Sequence, residues 1–119
     1  QEKDRITFVT TIESNRGHHV SKAPCIQERV KAMTRLRELG YRVAVTIEPI
    51  MQFDNDELVS MIREIQPSQV NIGCNSNRTI TLPEPTSEEI IELINELRCF
   101  TNVIIKKNCR RILGDLSKI

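Results

Sequence analysis

A β-branched run followed by a helical stripe recurs along this chain at intervals of about 30 residues, and that rhythm constrains the fold most. The runs are RITFVTTIES (5–14), YRVAVTIEPI (41–50), SQVNIGCNS (68–76) and TNVIIKKN (101–108), and each reads as a strand. Between the first two, PCIQERVKAMTRLRELG (24–40) sets Ile26, Val30, Met33 and Leu36 at helical spacing. Pro24 suits the first turn of that helix, and Gly40 suits its C-terminal cap. Asp54 and Glu57 read as a D-x-x-E capping box ahead of Leu58, Val59, Ile62 and Ile65, and Pro67 ends the stripe. Thr86 and Glu89 read as another box, ahead of Ile90, Ile91, Ile94 and Leu97. The loop before it is stiffened by Pro83 and Pro85, and a short basic helix is expected over 109–113. A helix between two strands carries the chain back to the end where it started. Consecutive strands therefore run parallel, with right-handed crossovers.

Side chains alternate along a strand, so each strand offers two faces. One face carries Phe8 and Ile12, then Val43, Val45 and Ile47, then Val70, Ile72 and Cys74, then Val103 and Ile105. That set is apolar and calls for helices. The other carries Thr7, Val9, Thr11 and Glu13; Ala44, Thr46 and Glu48; Gln69, Asn71, Gly73 and Asn75; and Ile104, Lys106 and Asn108. It is small or polar, increasingly so toward the C-terminal ends. A doubly wound sheet buries both faces and reads as continuous apolar runs. The expected class is therefore α/β, a partial (β/α) barrel of about four parallel βα units, half of an eight-stranded barrel or two thirds of a six-stranded one. A flavodoxin-like domain with a polar fringe is the alternative.

A chain of 119 residues is one modest domain, here 1–119. Its 39% hydrophobic and 28% charged residues argue against disorder. A formal net charge of +1 leaves no global attraction to nucleic acid or membrane. Apolar stretches fall far short of the roughly 20 residues of a membrane span, and no secretory signal is apparent, so a cytoplasmic location is expected. The chain opens on Gln1, as a processed chain or part of a longer protein would. Cys25, Cys74, Cys99 and Cys109 lack paired spacing and read as reduced, packed thiols. His18 and His19 could contribute to a zinc site only with distant cysteines, and read as loop residues.

In (β/α) barrels, ligands meet the C-terminal strand ends. Here those ends carry Glu13, Ser14, Asn15 and Arg16; Glu48 and Pro49; Asn71, Gly73, Asn75 and Ser76; and Lys106, Lys107 and Asn108. The carboxylates can accept from a ribose, an amino group or a cation. The amides can donate and accept, and Gly73 leaves room for a ligand to approach the backbone. Lys106 can neutralise Glu48 or bind a carboxylate or phosphate. The plainer reading pairs Glu13 with Lys106 inside the barrel and leaves Arg16 a solvated loop charge. Lys107, Arg110 and Arg111 read as a solvated basic end, with nucleic-acid contact as the alternative.

VTTIESNR, SKAP, ERVKAM, VTIEPIM, FDNDELV, VNIGCNS, LPEP and KKN, taken together over residues 5 to 113, resemble the C-terminal half of a radical S-adenosylmethionine (radical SAM) protein. The chain is similar to the branch with spore photoproduct lyase-like and phage-encoded members. The resemblance implies a partial (β/α)6 barrel holding S-adenosylmethionine and substrate against a 4Fe–4S cluster. It implies cofactor contacts from Glu13, Asn15 and Arg16, with Glu48, Asn71, Asn75 and Lys106 lining the cavity. It also implies partners: an N-terminal barrel half, or a second copy meeting open strand edges, and a small-molecule ligand. The family holds its cluster with CxxxCxxC, which this sequence lacks. Without a source of the electron that cleaves the cofactor, this chain alone is expected to be inactive. A non-catalytic module binding a small polar ligand or a protein is the competing expectation.

Overall fold

A computed structural model describes residues 2–16, 24–77 and 79–119. Its strands are β1 (Thr7–Thr11), β2 (Arg42–Ile47), β3 (Gln69–Ile72) and β4 (Asn102–Ile105). Its α-helices are α1 (Ile26–Glu38), α2 (Asn55–Ile65), α3 (Ser87–Leu97) and the single turn α4 (Arg110–Leu113). The strands form one parallel sheet in the order β1-β2-β3-β4. The order never reverses, so the crevice at which doubly wound sheets bind ligands does not arise. The fold is α/β, and among the described residues no helix is long and apolar enough to cross a membrane.

Register explains the layering. Val45, Val70 and Val103 share one row across the sheet, continued by Thr10 at the β1 edge, and Ile47, Ile72 and Ile105 share another. These rows meet the buried stripes Ile26, Val30 and Met33 of α1, Leu58, Val59, Ile62 and Ile65 of α2, and Ile90, Leu93, Ile94 and Leu97 of α3 in one core. Leu93 takes the inward place expected of Ile91, which is only half-buried. Among the described residues the opposite face carries no helix. There Val9 is 57% and Ile104 49% exposed, while Thr46 and Asn71 are half-buried.

The helix ends follow local chemistry, with two corrections. Thr86 and Glu89 form a reciprocal capping box at α3, as expected. Gly40 follows α1 at φ +97°, a conformation that favours glycine. Pro24 lies just outside that helix, which starts at Ile26 behind Cys25. The expected box at Asp54 and Glu57 does not form. Asp54 is the N-cap residue, but its carboxylate makes no capping bond. It accepts instead from Arg16 Nε at 3.1 Å and Nη2 at 2.9 Å, a charge-assisted fork stronger than a bond to a neutral amide.

Candidate functional site

The strands end earlier than their β-branched runs, so the polar residues sit in loops just past the sheet. Those loops hold one another. Glu48 and Pro49 are joined by a cis peptide bond. Ile50 N–H donates to Gly73 O at 2.9 Å, and Met51 N–H to Glu13 O at 3.1 Å. Buried Ser14 donates through Oγ to Gln52 O at 2.5 Å.

One row beyond Ile47, Ile72 and Ile105 stand Glu48, Gly73 and Lys106, on the face without helices. Parallel pairing continues into that row, since Gly73 N–H donates to Ile47 O and Lys106 N–H to Ile72 O. The Glu48 side chain lies across Gly73 toward β4. A Cβ added at Gly73 would stand 2.4 Å from Glu48 Cδ. Gly73 therefore makes room for a carboxylate of this chain itself, where the sequence suggested room for a ligand. Glu48 Oε1 accepts from Lys106 Nζ at 2.7 Å, and Oε2 from Asn108 Nδ2 at 2.9 Å. Asn108 Oδ1 in turn accepts from Cys74 N–H at 2.9 Å. The Lys106 hydrogen bond holds the Glu48 carboxyl below its ordinary pKa; partial burial opposes this and Asn108 adds to it. A carboxylate so stabilised is a poor proton donor at neutral pH. The pair suits recognition of charged or hydroxyl groups better than acid catalysis. Two rows further into the sheet, Thr11, Thr46 and Asn71 continue the same face, and Asn71 Oδ1 accepts from Gln69.

The other expected site residues go elsewhere. Glu13 pairs with Arg29 of α1 at 3.1 Å and not with Lys106, which corrects that pairing; Lys106 neutralises Glu48 instead, the other pairing the sequence offered. Arg29 is one helical turn into α1 and also donates to Thr11 O at 2.7 Å, which draws the Glu13 carboxylate to the sheet edge. Nothing in the sequence spacing pointed to Arg29. Asn15 and Arg16 clamp the start of α2. Asn15 donates to Asp54 and Glu57 and accepts from Asp54 N–H at 2.6 Å. The Asn75 amide closes its own loop, donating to Ile80 O and accepting from Asn77 N–H. Arg111 forks onto Glu84, which leaves the basic end less free than its sequence suggested. His18 and His19 lie outside the described residues. Among the described residues no cluster of His, Cys, Asp and Glu suits a metal.

Two concavities flank these groups. One of about 660 Å³ runs along the open edge of β1, lined by Phe8, Thr10, Glu13, Arg29 and Met33 among others. One of about 250 Å³ lies between the Asn75 loop and Arg111. Glu48 and Lys106 line neither, because their face of the sheet is open.

The Arg16–Asp54 fork carries a pH signature. The hydrogen bond from Arg16, then that from Asn15, lowers Asp54 from an ordinary 3.8 to about 2. A depressed folded-state pKa contributes stability that is present above 3.8 and lost as pH falls toward 2. Thermal midpoints of wild type and Asp54→Asn are expected to differ at pH 6 and to converge between about pH 4 and 2. High salt should shrink the difference, since both side chains are about half exposed.

Comparison of the chain with protein-family models, with curated proteins and with solved structures gives no match.

Proposed function

We propose that this chain is the C-terminal part of a (β/α) barrel of the radical S-adenosylmethionine type, with Glu48, Asn71 and Lys106 lining its cofactor and substrate cavity. The observation that carries the reading is the Glu48–Gly73–Lys106 row at the C-terminal ends of three adjacent strands, on the face that no helix among the described residues covers. A sequential parallel sheet with helices on one side also supports it. So do the free edges of β1 and β4, where further βα units could pair.

The thiols do not suit an iron–sulfur cluster. Cys25 and Cys99 are exposed, while Cys74 and Cys109 are buried together. The 4Fe–4S cluster is therefore assigned to an N-terminal half on a preceding segment or another chain, and no electron passes through this one. S-Adenosylmethionine does suit the open face by donor chemistry. Glu48 can accept from ribose hydroxyls or an ammonium, Lys106 can bind a carboxylate, and Asn71 can donate or accept. Glu13, Asn15 and Arg16 are already committed to Arg29, Asp54 and Glu57 and contribute to the cavity wall. When bound against a reduced cluster, the cofactor supplies the radical; this chain binds and orients it.

A second reading, a non-catalytic module for a small polar ligand, is favoured by the way Lys106 and Asn108 already satisfy both oxygens of Glu48. Calorimetric titration with S-adenosylmethionine separates the two. Saturable binding, weakened roughly tenfold to a hundredfold by Glu48→Gln, is the expected result. Adding the cluster-binding half, reconstituted with iron and sulfide without oxygen, should then yield reductive cofactor cleavage. Absence of cofactor binding, with no CxxxCxxC encoded beside this chain, would sink the radical reading and leave the module.

A further inference from the structure

Cys74 and Cys109 meet inside the protein behind the Glu48 site. Cys74 follows β3 by two residues, and Cys109 ends the 3-10 turn Lys107–Cys109 that follows β4. Cys74 Sγ donates toward Cys109 Sγ at 3.0 Å, and the two residues are 1% and 0% exposed. Ordinary packing accounts for two buried thiols. It does not call for two sulfurs held this close from segments that follow two separate strands. Moving them to a bonding distance of about 2.05 Å takes roughly 1 Å of approach.

We propose that Cys74 and Cys109 form a reactive dithiol that hydrogen peroxide closes to a disulfide, pinning the turn after β4 onto the end of β3. The step balances. The Cys109 thiolate attacks one peroxide oxygen, the O–O bond breaks, and water leaves once the hydroxide is protonated. The Cys74 sulfur, losing its proton, then attacks the sulfenic sulfur and expels a second water. Both thiols are oxidised, and one peroxide is reduced to two waters. The roles follow from the hydrogen bond. Cys74 is the donor, so its own pKa is raised by Cys109 and further by burial. Cys109 accepts that bond, which favours its thiolate. Access comes from local opening. The single helical turn after Cys109, Arg110–Leu113, has no buried residue and packs only through the half-buried Ile112 and Leu113. Asn108 links the pair to the site, since it holds both Cys74 N–H and the Glu48 carboxylate. The inference does not depend on which cofactor, if any, the Glu48 face binds.

The full chain carrying Cys25→Ser and Cys99→Ser removes the exposed thiols and provides the test. It is treated with hydrogen peroxide when folded and, in parallel, in concentrated urea. Free thiols are counted after denaturation, and non-reducing peptide maps locate any link. The expected result is joint loss of both thiols in the folded chain and one intramolecular 74–109 link. Dithiothreitol should reverse it. The thermal midpoint should rise on the order of 10 °C on oxidation. Adding Cys74→Ala should leave Cys109 to form a sulfenic or sulfinic acid with no link. The proposal is overturned if the folded chain keeps both thiols at peroxide doses that consume them in urea. It is equally overturned if each sulfur is oxidised separately without a 74–109 link.

Discussion

Replacing Ile72 with alanine is expected to lower stability by about 2–5 kcal/mol, a large share of the 5–15 typical of a domain. Ile72 is 0% exposed and stands between Ile47 and Ile105 in the row that faces the helices. Truncation removes buried surface and leaves a cavity that neighbouring β-branched residues cannot collapse into. Val9→Ala and Ile104→Ala, on the opposite face, are expected to change stability by no more than about 0.5 kcal/mol. Urea unfolding of the three variants checks the pair of claims. Running it at two protein concentrations adds information. If Val9 or Ile104 becomes costly only at the higher concentration, the open face or its edges are meeting a second copy. If Ile72→Ala costs less than 1 kcal/mol, the one-sided core described here is wrong.

Gly73→Ala is expected to dismantle the candidate site while leaving the fold in place. The added Cβ would lie 2.4 Å from Glu48 Cδ and 2.7 Å from Oε2. The carboxylate must swing away, which gives up its bonds to Lys106 and Asn108. The expected stability loss is about 1–2 kcal/mol, and it arises from the side-chain clash, since Gly73 does not adopt positive φ. A double-mutant cycle isolates that cause. In a Glu48→Ala background the same Gly73→Ala change should be nearly neutral, because the clashing atoms are gone. Binding of S-adenosylmethionine should fall in Gly73→Ala as far as in Glu48→Gln. Additive effects in the cycle would show that Gly73 matters for its backbone and not for the carboxylate above it.

The strands and main helices were legible because their signals are local. β-Branched runs, 3.6-residue stripes, Gly40 and the Thr86–Glu89 box each act within a few residues of themselves. The two-faced character of the sheet was legible as well, since alternation along a strand does not depend on what packs there. Asp54 was misread because Asp-x-x-Glu describes only what the helix start could do with itself. A distant guanidinium, Arg16, competes for the same oxygens and wins. Leu93 was missed for Ile91 because the two flank the Ile90–Ile94–Leu97 stripe on opposite sides of the helical wheel. Only the position of α3 over the sheet chooses between them.

The candidate site divides along the same line. That Glu48 and Lys106 lie on the polar face at the ends of their strands follows from chain order and alternation alone. Which charges pair does not follow. Glu13 and Glu48 looked equivalent, yet Arg29 takes one to the sheet edge while Lys106 and Asn108 take the other across Gly73. The contact between Cys74 and Cys109 likewise spans two crossover units. Local sequence sets backbone conformation and the face a side chain takes, because those are decided by sterics and burial over a few residues. Partners are decided by register and by loop paths beyond the strand ends, which exist only once the whole sheet has assembled.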